Sequence, residues 1–472
     1  MLKSFGFPEE TNIGSYAPLR TWIIQEIDAM HPFAIGLSLA QETVLAVGAI
    51  VASLIGIFAL DIWIVNMLFL RISKPTLDSW PIKEWPKVSI HLPLYNEEKV
   101  VARLIEACLA LDYPKKSVEI IIVDDSVDKT TEIVRVYEKK YMNQIRVVHR
   151  LQRTGFKGGA LSEALKRTTS DYIAIFDADN VPPREFLKTM LPRLMSDPRL
   201  AFVEARRSHI NSESSWISKG ISFGLDIYGY VDQRVRSSAD LLAHFSGSGG
   251  IFRRNAIEEV GGWTGDTLAE DLDLSVRLKL AGWKYSCKTS LTSLGEVPST
   301  LRSARGQQSR WAKGYTECLR KHFFPILRSK RLSMFQKVEA LIHLGMYLIF
   351  PLTLIGTIFA ALQYIVFPLP VLIFGLWIKP VGLFLFATSL MIMTAPLASA
   401  LLTIREMGGR KFSRLFRLVY MSALLYGLLL TNTCAVIEAL LGKKSVFYRT
   451  PKVGDLSVLG PRKLPPPSSV AS

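Results

Sequence analysis

Three carboxylates lie close together in the stretch Thr267–Asp273, shortly after the sequence Gly261–Trp263. Glu270, Asp271 and Asp273 fall within four consecutive positions, and apolar residues follow at helical spacing. Carboxylates in a first helical turn can simply stabilise the helix dipole, by a few tenths to about 1 kcal/mol each. A carboxylate at the mouth of a pocket can instead act as a general base. The other motifs of the chain decide between these two hypotheses.

Acidic residues also follow two predicted buried strands. Asp177 and Asp179 come after the apolar run Tyr172–Phe176. Asp125 comes after the apolar run Val118–Val123. Two carboxylates on one turn can bind Mg²⁺ or Mn²⁺, because these ions prefer hard oxygen ligands and keep positions open for diphosphate oxygens. A carboxylate at a sheet edge can accept hydrogen bonds from a nucleobase or a ribose. Taken alone, each pattern also fits an ordinary solvated turn.

Two further segments could contact phosphate or sugar. The stretch Gly155–Leu161 opens a predicted helix, with glycines that permit close backbone approach and with the positive charge of Lys157. In Gln307–Trp311, Arg310 could bind a diphosphate through two hydrogen bonds, and Trp311 could stack on a sugar ring. The alternatives are a plain turn into a helix and an amphipathic interfacial helix with a tryptophan anchor.

Strand and helix patterns alternate across this part of the chain, which predicts a doubly wound α/β sheet. In such a sheet the ligand binds beyond the carboxyl ends of the strands, where the acidic residues are found. Strands are predicted at Val88–Leu92, Val118–Val123, Ile145–Val148 and Tyr172–Phe176, and helices are predicted to start near Asn96, Thr130 and Gly155.

Long apolar runs flank the α/β pattern. The chain has 472 residues, of which 49% are hydrophobic and 21% charged, a mixture that indicates a soluble domain joined to membrane segments. Val44–Leu70 is long enough to span a bilayer, and Arg71 after it predicts a cytoplasmic end. Further runs at about 340–367, 370–403 and 418–441 bring the predicted total to four to six spans.

The formal net charge of +16 fits cytoplasmic loops that face anionic lipids. Nucleic-acid binding ranks well behind, because the basic residues adjoin apolar spans and no nucleic-acid motif is found. Residues 312–335 alternate basic and apolar positions, which predicts a helix lying on the membrane surface. The four cysteines are scattered without metal-ligand spacing, so we expect reduced thiols in a cytosol-facing domain.

The order of these motifs resembles that of the family-2 inverting glycosyltransferases with a GT-A fold. It is most similar to the membrane-embedded branch that contains cellulose synthases and their mannan-synthase-like relatives. The resemblance covers about residues 87–325 and continues in Val446–Lys452, which is similar to a short segment after the last span of such synthases. It implies a Rossmann-like GT-A domain in the cytosol, together with transmembrane and interfacial helices.

The resemblance also implies a domain order and residue roles. The order is a leader with the first span (1–74), the GT-A domain (75–311), an amphipathic interfacial helix (312–337), transmembrane helices (338–445) and a cytosolic tail (446–472). Asp271 matches the family's catalytic base, with Glu270 beside it. Asp177 and Asp179 match its metal-binding pair for Mg²⁺ or Mn²⁺. The implied nucleotide-sugar contacts are Pro93, Asn96, Glu97, Asp125, Lys157, Asp177, Gln307 and Arg310, and Trp311 is the implied acceptor contact.

The chain departs from the family pattern at two places. Ala269 stands where relatives have a threonine, so a hydrogen-bond donor is lost while both carboxylates are kept. The loop Phe245–Gly250 has serines where relatives often have asparagine and threonine. In the family this loop lies near the acceptor, so the identity of the acceptor stays open.

These features predict an integral membrane glycosyltransferase that uses a UDP- or GDP-sugar. A processive synthase would extend a β-linked glucan or mannan. The alternative is a single transfer to a lipid such as a polyprenyl phosphate or a glycolipid. A transporter or receptor with an inactive α/β domain would have no need of the full carboxylate set. A soluble nucleotide-binding module does not fit the long apolar runs.

Overall fold

The computed structural model describes residues 39–72, 82–366, 380–408, 411–443, 452 and 454. Most of the predicted leader and nearly all of the predicted tail lie outside these residues. The larger compact unit, Ile57–Leu354 with Ile392–Ser472, contains the sheet and every predicted site residue. The smaller unit, Met1–Gly56 with Ile355–Met391, is helical in its described part.

A mixed sheet forms the centre of the larger unit. Seven strands lie in the order β3-β2-β1-β4-β6-β5-β7. The first four strands in this order run parallel, β6 is antiparallel to both β4 and β5, and β7 is parallel to β5. The bounds are β1 Val88–Leu94, β2 Val118–Asp124, β3 Ile145–His149, β4 Tyr172–Ile175, β5 Leu200–His209, β6 Gly250–Arg253 and β7 Lys284–Gly295.

Helices cover the sheet and continue beyond it. Before β1 lies α1 Leu39–Arg71. Between β1 and β7 lie α2 Val101–Leu109, α3 Thr130–Lys140, α4 Phe156–Arg167, α5 Phe186–Ser196, α6 Trp216–Ile227, α7 Gln233–Ser238, α8 Arg254–Glu259 and α9 Glu270–Ala281. After β7 follow α10 Leu301–Arg328, α11 Met334–Leu344, α12 Ile349–Val366, α13 Pro380–Met407 and α14 Lys411–Leu440. A π-helical turn, Tyr228–Asp232, joins α6 to α7.

The apolar strand sequences explain the core. Ile90, Ile120 and Phe176 are fully buried, and Phe186 of α5 meets Phe176 edge-on at 4.9 Å between ring centroids. Strands buried on both faces read as continuous apolar runs, as β1, β2 and β4 do. Because these strands are parallel and in register, their carboxyl ends lie side by side at one edge of the sheet.

The predicted strands are all present, with ends shifted by one or two residues. The helix expected from Asn96 begins only at Val101. Asn96 has a left-handed φ of 54°, its amide donates to Ser126 Oγ, and its Oδ1 accepts from the amide of Val127. These bonds hold a turn after β1 against the turn after β2, so residues 97 and 98 lie before the helix instead of in its first turn.

The basic segment predicted as one surface helix has different bounds. Helix α10 starts at Leu301 and therefore already contains Gln307–Trp311, and it ends at Arg328. A new helix, α11, begins after Ser333, whose side chain and backbone form a capping box with Gln336. Sequence periodicity alone does not show this break, because the basic and apolar pattern continues across it.

Four described helices are long and apolar enough to cross a bilayer: Glu42–Arg71, Met346–Gln363, Gly382–Met407 and Arg414–Leu440. This number lies at the lower end of the predicted four to six. Asp61, the charged residue inside the first of them, lies 3.9 Å from Arg236. Arg236 is buried and also pairs with Asp232 and Glu339, so the Asp61 carboxylate has a charged partner.

Candidate active site

Lys157 is the centre of a charged cluster at the carboxyl edge of the sheet. Its Nζ atom lies 2.7 Å from Asp177 Oδ1 and 3.5 Å from Glu270 Oε1, and it donates to the carbonyl of Gly247 at 2.8 Å. Gly155, with a φ of 69°, allows the sharp entry into α4 that places Lys157 in the first turn. The structure thus brings together Lys157, Asp177 and Glu270, which are far apart in sequence.

The neighbouring glycines have a packing role. A Cβ atom on Gly158 would lie 2.1 Å from the carbonyl oxygen of Thr264, and one on Gly159 would lie 2.0 Å from that of Thr154. Both positions therefore accept only glycine. The sequence predicted that glycines in this stretch permit close backbone approach. In the structure, the groups that come close to these glycines are the backbones of neighbouring segments.

Burial and the charges of neighbouring groups shift the pKa values of Lys157, Glu270 and Asp271. Burial lowers the pKa of Lys157, but the carboxylates of Asp177, Glu270 and Asp271 outweigh it and raise that pKa above its ordinary value. Burial raises the pKa of Glu270 to about 7, with Lys157 opposing and Asp271 reinforcing the shift. Burial also raises the pKa of Asp271, while Lys157 opposes this shift. Groups shifted towards neutral pH are suited to acid–base chemistry.

Asp271 lies in the first turn of α9 beside the loop Phe245–Gly250. Its Oδ1 accepts a hydrogen bond from the amide of Leu272 at 2.8 Å. Ser275 joins helix and loop, since its hydroxyl donates to the carbonyl of Asp271 and accepts from the amide of Phe245. Gly247 in this loop has a φ of 85°, its carbonyl accepts a hydrogen bond from Lys157, and a Cβ atom on it would lie 2.8 Å from Asp271 Oδ2. The loop is therefore held directly against the predicted base.

Asp273, the third carboxylate of the stretch, is fully buried and belongs to a structural cluster. It accepts hydrogen bonds from Thr264, Arg277 and His322 at 2.7 to 2.8 Å, and Lys321 lies 2.7 Å away. Although burial raises its pKa, these partners hold the pKa of Asp273 well below the usual range. Asp273 is therefore a structural ion-pair residue that ties α9 to α10.

The absent threonine has a packing explanation. A Cβ atom on Gly314 of α10 would lie 2.8 Å from the Cβ of Ala269 and 3.1 Å from its amide nitrogen. Helix α10 thus crosses the residue before Glu270 at very short range. Small residues at both positions permit this crossing.

Arg310 faces the charged cluster from α10. Burial lowers the pKa of Arg310, and Glu270, Asp271 and Asp177 raise it, in that order of size. Gln307, one turn earlier, is buried. Trp311 packs at the edge of an apolar cluster that includes Tyr347 and Phe350. Helix α10 therefore carries Gln307, Arg310 and Trp311. It places them between the charged cluster around Lys157 and the apolar helices.

The two aspartates of the predicted metal pair have different contacts. Asp177 faces Lys157, whereas Asp179 is buried, accepts from the amide of Glu296 at 2.7 Å and lies 2.8 Å from Lys452 Nζ. Burial raises the pKa of Asp179, but Lys452 and Arg207 outweigh it and lower that pKa. Within the described residues, no group of three His, Cys, Asp or Glu side chains is arranged to hold a metal.

Four of the predicted nucleotide contacts, Pro93, Asn96, Glu97 and Asp125, lie at or just after the ends of β1 and β2. Pro93 stands opposite Val123 in the register of these strands, and the amide of Glu97 donates to Thr130 Oγ1. Asp125 is buried, and Arg150 donates to both of its oxygens at 2.6 and 2.5 Å.

Sequence reasoning missed several residues of this edge. Arg150 and Arg153 follow β3, and Arg153 stacks on the ring of Tyr95 at 3.5 Å. Their position directly after a predicted strand was an available signal. Glu204 is fully buried in β5, where it accepts from the amide of Ser246 and the side chain of Gln233 at 2.9 Å each. Burial raises the pKa of Glu204 to about 8, against the hydrogen bonds from Ser246. An acidic residue inside an otherwise apolar strand pattern was the sequence signal that could have identified Glu204.

Comparison with known families agrees with this arrangement. Residues 89–261 match the model of glycosyl transferase family 2. The chain carries a family 2 glycosyltransferase domain. This match includes the sequence from Pro93 to Asp179 and ends before Glu270.

The family 2 domain has named relatives among plant enzymes. Glucomannan 4-beta-mannosyltransferases 9 and 2 of Arabidopsis thaliana are 36% and 38% identical over 264 and 261 residues. Each alignment covers 54% of this chain, and they cover 50% and 49% of the two relatives. The chain thus spans about half the length of the curated relatives it matches.

The family 2 domain and the helices after it also match a solved structure. The mannosyltransferase PcManGT from Pyrobaculum calidifontis, in complex with GDP-Man and Mn²⁺, aligns with a TM-score of 0.59 over 85% of this chain and 100% of that chain. At 20% identity this likeness shows the fold. The predicted family resemblance and the GT-A-type fold are both confirmed.

Proposed function

We propose that the chain is a membrane-embedded inverting glycosyltransferase that moves a hexosyl group from a nucleotide sugar to an acceptor hydroxyl and forms a β-glycosidic bond. One observation carries this proposal. Asp271 lies beside the cluster around Lys157, at the carboxyl edge of the sheet where α/β folds bind their ligands.

The described residues supply the parts of a direct displacement. Asp271 takes the proton of the acceptor hydroxyl as that oxygen attacks the anomeric carbon. The bond from the anomeric carbon to the diphosphate oxygen breaks at the same time, so the diphosphate leaves with the electron pair and the configuration inverts. Lys157 and Arg310, which face the same carboxylates, offset the charge that develops on the leaving group.

A divalent cation fits the donor chemistry of this edge. Asp177 and Asp179 offer hard carboxylate oxygens of the kind that Mg²⁺ and Mn²⁺ prefer. In the structure each aspartate is paired with a lysine, Asp177 with Lys157 and Asp179 with Lys452, so the ion would replace ammonium groups at both positions. Once bound, the ion would neutralise diphosphate oxygens. The predicted nucleotide contacts Pro93, Asn96, Glu97, Asp125 and Gln307 remain part of this proposal.

The product class follows from the relatives and the helices. The related plant proteins are named for transfer of mannosyl groups in glucomannan, and four apolar helices follow or precede the catalytic unit. We therefore infer a processive synthase of a β-linked mannan or glucan, with GDP-mannose as the first donor to test. Trp311, at the edge of the apolar cluster with Tyr347, is the proposed acceptor contact.

The proposed location is an integral membrane protein with its catalytic unit in the cytosol. Arg71, Arg405, Arg414 and Arg417 lie at span ends, where basic residues favour the cytoplasmic side.

Product analysis tests the proposal. Purified protein in lipid nanodiscs with Mn²⁺ or Mg²⁺ is given radiolabelled GDP-mannose, UDP-glucose or UDP-N-acetylglucosamine. We expect a polymer that is sensitive to a β-specific glycanase, and no polymer from the D271N variant. A single labelled sugar on extracted lipid would replace the synthase by the lipid-transfer alternative, and wild-type activity in D271N would contradict the role of Asp271.

A further inference from the structure

A second polar cavity lies away from the cluster around Lys157. Its volume is about 230 Å³, and it opens between β5, α6, the end of α13 and the start of α14. Its charged and aromatic lining comprises Arg206, His209, Glu213, Asp226, Tyr230, Arg414 and Arg417. Arg414 and Arg417 also count among the basic residues at span ends, and the proposed transfer reaction uses none of the residues of this lining.

The geometry of strand β5 separates this cavity from the loop Phe245–Gly250. Successive side chains of a strand point to opposite faces of the sheet. Arg207 of β5 donates to the carbonyl of Ser246 in that loop at 2.9 Å. Arg206 and Ser208, its neighbours in sequence, line the cavity on the other face, and His209 joins them at the last position of the strand.

Arg206 provides a buried and incompletely bonded donor group. Its Nη1 atom makes only long contacts, at 3.5 Å to Asp226 Oδ1 and at 3.3 Å to the carbonyl of Arg207. Its guanidinium stacks on the ring of Tyr230 at 4.1 Å. Its Nε atom is buried and has no hydrogen-bond partner within the described part of the chain. A buried donor without an acceptor is costly, so an acceptor-rich ligand would be favoured here.

The charge of the cavity favours an anion. Three arginines face two carboxylates, which leaves positive charge in excess. Burial, reinforced by Arg207 and Arg206, lowers the pKa of His209 to about 3, so its imidazole is neutral at physiological pH. Planar guanidinium groups are well suited to bidentate contacts with phosphate.

The position of the cavity indicates the source of that anion. Met407 is the last residue of one candidate span, and Arg414 is the first residue of the next. Both line the cavity, which places it where two spans leave the apolar layer. Lipid phosphates lie at this level, and basic pockets beside span ends bind lipid headgroups.

We infer that this cavity binds the phosphate group of an anionic membrane lipid, held by Arg206, Arg414 and Arg417. The same chemistry could be offered by free phosphate, which lacks the acyl chains that would lie along α13 and α14. The site is independent of the transfer reaction, so its test does not rest on catalysis.

Native mass spectrometry of the purified full-length protein tests the inference. The protein is titrated with palmitoyl-oleoyl phosphatidylglycerol, with the phosphatidylcholine of the same chains, and with inorganic phosphate. We expect tight binding of phosphatidylglycerol, and a loss of affinity on the order of 10- to 30-fold in the double variant R414Q/R417Q. The double variant R414K/R417K keeps the charge but loses the bidentate fork, so its affinity should lie between those of the wild type and R414Q/R417Q.

Arg405 provides the matched control, because it is exposed near the end of α13 and does not line the cavity. R405Q should bind phosphatidylglycerol like the wild type. Equal loss in R405Q and R414Q/R417Q would overturn the inference in favour of general surface charge. Unchanged binding in R414Q/R417Q would also overturn it. Inorganic phosphate that competes at the same concentration as the lipid would assign the site to a soluble anion and overturn the lipid source.

Discussion

Gly247 lies so close to Asp271 that a Cβ atom on the glycine would be 2.8 Å from the Oδ2 atom of the carboxylate. The same atom would be 3.0 Å from Lys157 Nζ. The loop Phe245–Gly250 therefore lies against the proposed base and the central lysine at once. Only glycine fits, both for space and because its φ is 85°.

The variant G247A should consequently lose at least about 100-fold in kcat, because displacing a catalytic group by about 1 Å can slow a reaction about 100-fold. Gly261 is a matched control, because its φ is 87° but nothing lies within 4 Å of its Cβ position. G261A should lower the melting temperature slightly and keep its activity. Similar losses of activity in both variants would show that backbone strain, and not contact with Asp271, is responsible. Initial-rate assays and thermal unfolding provide the two measurements.

The raised pKa of Asp271 predicts an acidic limb in the pH–rate profile. A base with a raised pKa is protonated, and so inactive, below that pKa, and kcat/KM therefore falls as the pH falls through it. The limb should lie above the usual carboxyl range.

Replacing Asp271 with Asn should reduce kcat by about 10²- to 10⁴-fold at every pH.

Two neighbours should move this limb in opposite directions. The negative charge of Asp271 raises the pKa of Glu270, and because this repulsion is mutual, E270Q should shift the limb to lower pH. The positive charge of Lys157 lowers the pKa of Asp271, so K157M should shift the limb of the residual activity to higher pH. Shifts of the same sign in both variants would contradict the proposed electrostatic arrangement.

Gly314 and Gly306 form a second matched pair on α10. A Cβ atom at position 314 would collide with Ala269, directly before Glu270 and Asp271, whereas one at position 306 would meet nothing within 4 Å. We expect G314A to reduce activity strongly. G306A should be fully active and more stable by about 0.5 to 1 kcal/mol, since alanine favours a helix over glycine. An active G314A variant would show that α10 can shift without disturbing the site.

Asp273 should matter for stability. The lowered pKa of its carboxyl means that its ion pairs stabilise the fold at neutral pH, and this contribution is lost as the pH falls through the unfolded-state value towards the folded-state value. D273N leaves His322, Lys321 and Arg277 without their charged partner and should cost about 3 to 5 kcal/mol. The control is D112N, which breaks an exposed pair with Lys188 and should cost at most about 1 kcal/mol. Thermal unfolding in detergent measures both, and equal effects would contradict the structural role of Asp273.

Chelation tests the proposed metal site. EDTA should abolish transfer, and added Mn²⁺ or Mg²⁺ should restore it. Because Lys452 pairs with Asp179, K452A should lower the Mn²⁺ concentration needed for half-maximal activity several-fold. Lys443, which pairs with Glu438, is exposed and serves as the control. A higher Mn²⁺ requirement in K452A would argue against competition between this ammonium and the metal.

The sequence was sufficient for four of the seven strands, for the apolar helices and for the family. Strands such as Val118–Asp124 are encoded by continuous apolar runs, and a span such as Glu42–Arg71 is encoded by its length and composition. These signals are local, so they can be read without knowledge of the fold. The motif residues could be assigned to a site because their order along the chain matches a known pattern.

The tertiary structure alone decided how these residues divide their roles. Asp271 and Asp273 are two positions apart in one helix. Asp271 faces Lys157 and the loop Phe245–Gly250. Asp273 is enclosed by His322, Lys321 and Arg277. Asp177 and Asp179 likewise meet different lysines. Apart from Arg277, which lies four positions from Asp273, these partners lie from 20 to 273 positions away in sequence. The sequence by itself determined which groups could do chemistry, because residue type and local pattern are written in it. Only the fold determined which of them meet, because charge pairing, burial and close backbone approach are set by contacts between distant segments.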